Sequence, residues 1–348
     1  MKDINVGVLF GGCSVEHEVS IRSARTIISG LKAAGFSATP IGVAKSGQWL
    51  GVKDSEALLD GKEVLGGKGQ GVLSNISTLV DHTVDVLFPI IHGAIGEDGS
   101  VQGLCKILNL PFVGPGVLGS ALCMDKEMAK RVLIQAGLSV APFLTVTASS
   151  FASLKIDSVV ASLGEPLFVK PANLGSSVGI TKANAKNLSE AVKYALQFDR
   201  KVLIEKAIKG RELECSVLGN ESPRASVIGE VLPGEEFYSY DDKYSSSSKA
   251  TTAIPAKLPI QVSDKIRSTA IAAYSALECE GMARVDFFLT DGGEVLINEI
   301  NTLPGFTSIS MYPKMWEAAG LSLTELLKEL VSLALARHKR DSALRSRP

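Results

Sequence analysis

Asp286, Glu299 and Asn301 carry oxygen-bearing side chains, and Arg284 carries a guanidinium. Together these types suit metal-assisted chemistry on an anionic ligand, and their spacing brings them together. Residues 284–290 and 294–300 alternate as two strands, with Asp291-Gly292-Gly293 between them as a hairpin signal. With Gly292-Gly293 as a two-residue loop, Asp286 faces Glu299 and Arg284 faces Asn301. Side chains alternate along a strand, so these four share one face. Val285, Phe287, Leu289, Leu296 and Ile300 then form a core face. Two opposed carboxylates repel, so a cation must accompany them. A divalent ion is one solution, because an Asp, a Glu and an amide carbonyl are hard donors that suit Mg²⁺. The alternative is a solvated face on which Arg284 neutralises Asp286. Residues 301–308, NTLPGFTS, follow with backbone amides and hydroxyls, and they favour a site for an anionic or carbonyl-bearing ligand.

The elements that must position this hairpin come earlier. Residues 6–10 read as a strand, 15 to about 34 as a helix, 37–43 and 84–90 as strands, and 101–108 as a helix. This βαβ order predicts a parallel sheet with helices on its faces. Ligands in such sheets bind beyond the carboxyl ends of the strands. Two loops qualify, GGCSVEHE at 11–18 and HGAIGEDG at 92–99. The first is not G-x-G-x-x-G, so it lacks the dinucleotide signature. Glu16 either balances the helix dipole or binds a substrate ammonium. His92 is either a hydrogen-bonded loop histidine or a catalytic one. Residues 48–83 are glycine-rich and read as a short hairpin and loops.

A second section starts near Pro115. Residues 120–136 read as one helix carrying Asp125, Lys126 and Lys130, closed by Gly137. Strands at 166–170 and 178–182 flank the tip PANLGSS, whose backbone N–H groups could close over phosphates, with Lys170 adding a point charge. A plain surface hairpin is the alternative. A helix at 188–198 and a strand at 201–205 follow. In the third section, 211–218 and 225–231 are strands. PGEEFYSYDDKYSSSSK at 233–249 will not pack as a core. Its tyrosines and Lys243 suggest a lid that orders on substrate. Helices are expected at 263–280, near 312–319 and at 322–336, before a basic, frayed tail from 337.

At 348 residues, two or three domains are expected. The chain is 45% hydrophobic and 21% charged, as for a soluble globular protein. A net charge of −1 points away from nucleic acid or a membrane surface as partner. No apolar run reaches the ~18 residues of a membrane span. Five scattered cysteines, with no C-x-x-C and no export signal, favour reduced thiols in a cytoplasm.

Eight segments in order, LFGGCSVEHEVS, HGAIGEDGSVQG, CMDK, FVKPANLGSSVG, LIEKAIKGRE, YDDKY, ARVDFFL and NEINTLPGFTS, resemble the D-alanine–D-alanine ligases of the ATP-grasp superfamily. The resemblance runs from about residue 4 to 336. It implies a mixed α/β fold in three domains: an N-terminal parallel-sheet domain (1–114), a central ATP-grasp domain (115–209) and a C-terminal one (210–348). It also implies a homodimer, with ATP and D-alanine as small-molecule substrates. One D-alanine is phosphorylated on its carboxylate, and the amine of a second attacks the acyl phosphate to give D-alanyl-D-alanine for the cell wall. Position by position, Glu16 resembles the group binding the first ammonium and forms a set with Ser177 and Tyr244. His92 lies beside the first substrate. Lys126, Lys170 and Lys243 resemble phosphate ligands. Glu205, Lys206 and Ile208 resemble the adenine edge, and Glu212 the ribose contact. Asp286, Glu299 and Asn301 match ligands of two magnesium ions, with manganese as a substitute. Arg284 and the Gly305 amide resemble oxyanion binders, and Ser310 and Met311 the contacts of the second carboxylate. D-lactate-using relatives carry histidine where this chain has Tyr244, which favours D-alanine as acceptor and leaves a D-alanine–D-lactate ligase as the runner-up.

Overall fold

The computed structural model describes residues 4–62, 64, 84–232 and 251–344. Strand β1 (Asn5–Gly11) is the apolar run near the N-terminus, and β2 (Ser37–Val43) and β3 (Val86–Pro89) flank it in parallel. Helices α1 (His17–Ala33), α2 (Val52–Leu59) and α3 (Ser100–Ile107) accompany this sheet. Helix α2 corrects the expectation of a hairpin and loops for part of 48–83. It buries only Ser55 and Leu58, too short a stripe to register as helical periodicity. The rest of that expectation, at 65–83, lies outside the described residues.

The next section holds α4 (Val117–Met124), α5 (Lys126–Gln135), β4 (Phe143–Thr147), α6 (Ile156–Leu163), β5 (Leu167–Pro171), β6 (Thr181–Ala183), α7 (Leu188–Ala195) and β7 (Lys201–Lys206). Its strands form an antiparallel sheet in the order β4-β7-β5-β6. The single helix expected at 120–136 is two. Asp125 leaves helical geometry and caps α5, accepting hydrogen bonds from the amides of Glu127 and Met128. That break puts Lys126 at the first position of α5.

The last section holds β8 (Gly210–Gly219), β9 (Arg224–Leu232), β10 (Thr251–Ala253), α8 (Ile260–Ala276), β11 (Gly281–Thr290), β12 (Val295–Asn301), α9 (Met311–Ala318) and α10 (Leu323–Ser342). Its antiparallel sheet runs β10-β9-β8-β11-β12. A capping box between Ser322 and Glu325 starts α10. The helix then runs past 336 into the tail expected to fray. Arg337 explains why: it is buried, donates to the carbonyls of Phe112 and Gly114 at 2.6 and 2.5 Å, and lies over the Phe112 ring. Leu326, Leu327, Leu330 and Val331 share one core with Ile27, Ile28 and Leu31 of α1. The chain's end thus packs on its first unit. No helix among the described residues is long and apolar enough to cross a membrane.

Candidate active site

In the β11–β12 hairpin Arg284 is opposite Asn301 and Asp286 opposite Glu299, as the spacing predicts. The route to that register differs. The turn has three residues, Asp291–Gly293, with Thr290 and Glu294 closing it. A bulge at Asn298 then supplies one extra residue and restores the pairing beyond it. The two departures cancel at the site but not between them. Ile297, opposite Phe287, is fully buried on the core face, and Leu296 pairs with Phe288 on the site's face. The core-face assignment of Leu296 is therefore corrected to Ile297.

Strand β8 pairs with the other edge of β11 and sets Glu214 against Asp286 and Glu212 against Phe288. Arg284 donates from Nε and Nη2 to the two oxygens of Asp286, both at 2.7 Å, and its Nε lies 3.0 Å from Glu214 Oε2. Asn301 Nδ2 donates to Asp286 Oδ2 at 2.9 Å. Lys126 Nζ sits 3.5 Å from Glu299 Oε2. The Arg284–Asp286 pair of the alternative reading is thus present, yet the face is not a solvated surface. It is the wall of a cavity of about 600 Å³. Three carboxylates, Glu214, Asp286 and Glu299, meet two cations, Arg284 and Lys126. Carboxylate oxygens keep lone pairs beyond these contacts. Two carboxylates and an amide on one face, with negative charge in excess, fit a hard divalent cation. Among the described residues no group of three or more His, Cys, Asp or Glu side chains is placed to hold a metal ion.

The first unit supplies the opposite wall. Glu16 occupies the N-cap of α1, and His92 and Glu97 lie in the second loop. Burial holds His92 below the ordinary imidazole value, so it is neutral, and its Nε2 is buried without a partner. Burial, reinforced by Glu16, pushes the Glu97 carboxyl up to about 8. The segment after β12 brings Gly305, Ser310 and Met311 to the same cavity. A Cβ on Gly305 would lie 2.8 Å from Ser310 Oγ, so a bare backbone suits the turn.

The phosphate-side candidates form a second cluster. Lys126 Nζ donates to the Leu174 carbonyl at 2.6 Å, at the tip between β5 and β6. Ser176 and Ser177 there both have left-handed backbone, a conformation that turns successive N–H groups toward one side. The tip approaches Glu16: a Cβ on Gly175 would be 4.0 Å from its Oε2. Lys170 Nζ donates to Glu205 Oε2 at 2.7 Å, and Lys130 Nζ is 3.3 Å from Oε1. Burial alone would raise Glu205, but the two ammoniums outweigh it and hold the carboxyl low.

Known proteins resolve what this arrangement belongs to. The family profile described as D-ala D-ala ligase N-terminus matches residues 5–115, and that described as D-ala D-ala ligase C-terminus matches 132–332. The chain belongs to the D-alanine–D-alanine ligase family. A D-alanine–D-alanine ligase A of Salmonella typhimurium is 49% identical, with 99% of this chain and all of that one covered. One from Chromobacterium violaceum is 50% identical over 99% and 98% of the two chains. The solved D-alanine–D-alanine ligase of Coxiella burnetii superposes with a TM-score of 0.83 at 36% identity, covering 98% and 97%. A D-Ala:D-Ser ligase of Enterococcus faecalis gives 0.81 at 33%, covering 96% and 100%.

Within this ligase fold, Glu16, His92, Glu212, Arg284, Asp286, Glu299, Asn301, Gly305, Ser310 and Met311 line one cavity. Lys126 joins it through Glu299. Lys170, Ser177, Glu205, Lys206 and Ile208 do not line it and belong to the central sheet and its turns. Tyr244 and Lys243 lie outside the described residues. Sequence reasoning passed over Lys130, Glu97 and Glu214 as site groups. Lys130 stands one turn beyond Lys126 on the same helical face, a spacing that flags it.

Proposed function

We infer that the chain is an ATP-dependent, ADP-forming ligase that joins two D-alanines into D-alanyl-D-alanine for the cell wall. The observation that carries the reading is the single cavity walled by Glu16 and His92 on one side and Arg284, Asp286, Glu299, Asn301 and Gly305 on the other. Glu16 binds the first ammonium there, and neutral His92 packs beside the substrate. ATP, a substrate, is held from the central sheet by Lys126 and Lys170, with Glu205, Lys206 and Ile208 at the adenine and Glu212 at the ribose. Arg284 and the Gly305 amide stabilise negative charge that develops as the carboxylate is activated and then attacked, the largest kind of electrostatic contribution in such sites. Ser310 and Met311 receive the second carboxylate. Asp286, Glu299 and Asn301 would hold two Mg²⁺, or Mn²⁺ in their place, which when bound neutralise charge on the transferring phosphoryl group.

The domain partition that goes with this reading is 1–114, 115–209 and 210–348, with a homodimer as the assembly. Tyrosine at 244, rather than a protonatable histidine, goes with an amine acceptor, so D-alanine is preferred over D-lactate. A coupled ADP-release assay over D- and L-amino acids and hydroxy acids tests the function. D-alanine should give the highest turnover and D-lactate little at neutral pH. Equal or preferred D-lactate turnover at neutral pH would reject the acceptor assignment, and ADP release indifferent to D-alanine would reject the function.

A further inference from the structure

Glu97 has no part in the chemistry proposed for this cavity, yet it sits half-buried where the first unit meets the last. Its Oε2 accepts from the Gly93 amide at 2.6 Å, and its Oε1 accepts from the Leu303 amide at 3.3 Å. Those two amides belong to different loops. Gly93 follows His92 at the end of the first sheet. Leu303 opens the turn that carries Gly305. That turn has a second tie to the first unit, because the Phe306 amide donates to Ser23 Oγ of α1 at 3.1 Å. Gly305 therefore lies between two amides, each held by a side chain of the first unit. The side chains of Leu303 and Phe306 are buried in the core shared with α10, so the turn is fixed by packing on one side and by these two acceptors on the other.

We propose that Glu97 is a positioning residue whose carboxyl joins the His92 loop to the Gly305 turn and fixes the distance between substrate-binding and oxyanion-binding groups. The inference rests on the oxyanion-binding role proposed for the Gly305 amide. Misplacing a catalytic group by about 1 Å costs on the order of a hundredfold in rate, so one such strut matters without touching substrate. Alanine at 97 leaves two amides without their acceptor and frees the turn at its first anchor. Glutamine keeps the length and one acceptor. It also matches the neutral carboxyl, whose pKa of about 8 leaves it mostly protonated near neutrality.

The test uses the full chain. Steady-state ADP release is measured for Glu97→Ala and Glu97→Gln with ATP and D-alanine varied separately, and amide hydrogen exchange is followed over residues 302–307. The Ala variant should fold, lose between tenfold and a hundredfold in kcat, keep its KM for ATP within twofold, and exchange faster over 302–307. The Gln variant should fall between it and the wild type on both readouts. Unchanged exchange in the Ala variant would overturn the strut. Faster exchange with undiminished kcat would overturn its positioning role, whereas wild-type ADP release indifferent to D-alanine would overturn the function on which it rests. A kcat loss matched by an equal rise in KM for ATP would overturn it too, since a local strut between these loops leaves the nucleotide cluster alone.

Discussion

Glu299 faces Asp286 across the β11–β12 pair, with Lys126 Nζ 3.5 Å from its Oε2. Its opposition to Asp286 was legible in the alternation of two strands, whereas the bulge at Asn298 that delivers it was not, because a bulge leaves no mark in hydrophobic pattern alone. With Asp286 already bound by Arg284 and Asn301, Glu299 is the more exposed of the facing pair. Glu299→Gln should keep the fold and lose turnover on the order of a hundredfold, the scale of one preorganised charge partner. Near-full activity at ordinary magnesium would refute the metal assignment. Glu205 is a different case, a carboxylate buried between Lys130 and Lys170. Removing its charge strands two buried ammoniums, so Glu205→Gln should cost about 3–5 kcal/mol in urea unfolding. Its carboxyl is depressed in the folded state, so its contribution is present above the ordinary carboxylate range and is lost as pH falls through the lowered value. Glu97 has the opposite sign. Between 4.5 and about 8 the folded state holds a proton that the unfolded chain has released, so its contribution fades as pH rises across that window. The Tm of wild type minus that of Glu97→Gln should therefore shrink from pH 5 to pH 8. A flat or growing difference would contradict the neutral carboxyl.

Elements were most legible where burial alternates or runs unbroken. β1, with unbroken burial, and β11, with alternating burial, follow their patterns closely. The sequence conceals the α4–α5 break, because both halves are helical in composition and Asp125 reads as interior. Its value as a cap shows only when its oxygen is seen to accept two amides. The break has a functional consequence, since it turns Lys126 toward Glu299 and Leu174 rather than along a continuing helix. Asp125 also receives Lys201 Nζ at 2.6 Å, and Glu127 shares that ammonium at 2.7 Å. Asp125→Ala should destabilise by about 1–2 kcal/mol, the upper range for a lost N-cap, and Asp125→Asn should recover most of it. Equal losses for both, measured by chemical denaturation, would assign the effect to the Lys201 pair instead of the cap.

At the scale of the molecule, the site is a junction: one wall comes from the loops of a parallel sheet, the other from an antiparallel sheet nearly 200 residues later in the chain. Sequence order hides this closure, and it hides the packing of α10, whose apolar face lies in a core shared by the first unit and the last. The tail after 336 reads as frayed because it is basic, yet Arg337 spends its charge on two carbonyls and an aromatic ring. Leu330→Ala, at a fully buried position in that shared core, should cost about 2–5 kcal/mol and loosen the first unit first, seen as faster amide exchange in α1. Exchange confined to the last antiparallel sheet would contradict the shared core. The proposed function requires Asp286, Glu299 and Asn301 to hold divalent cations against ATP in this cavity. Its most direct test is anomalous scattering from crystals grown with manganese, a non-hydrolysable ATP analogue and D-alanine. Manganese peaks within coordination distance of the Asp286 and Glu299 carboxylates and the Asn301 carbonyl are expected. A bound nucleotide with no metal peak on that face, or those side chains turned apart, would contradict it.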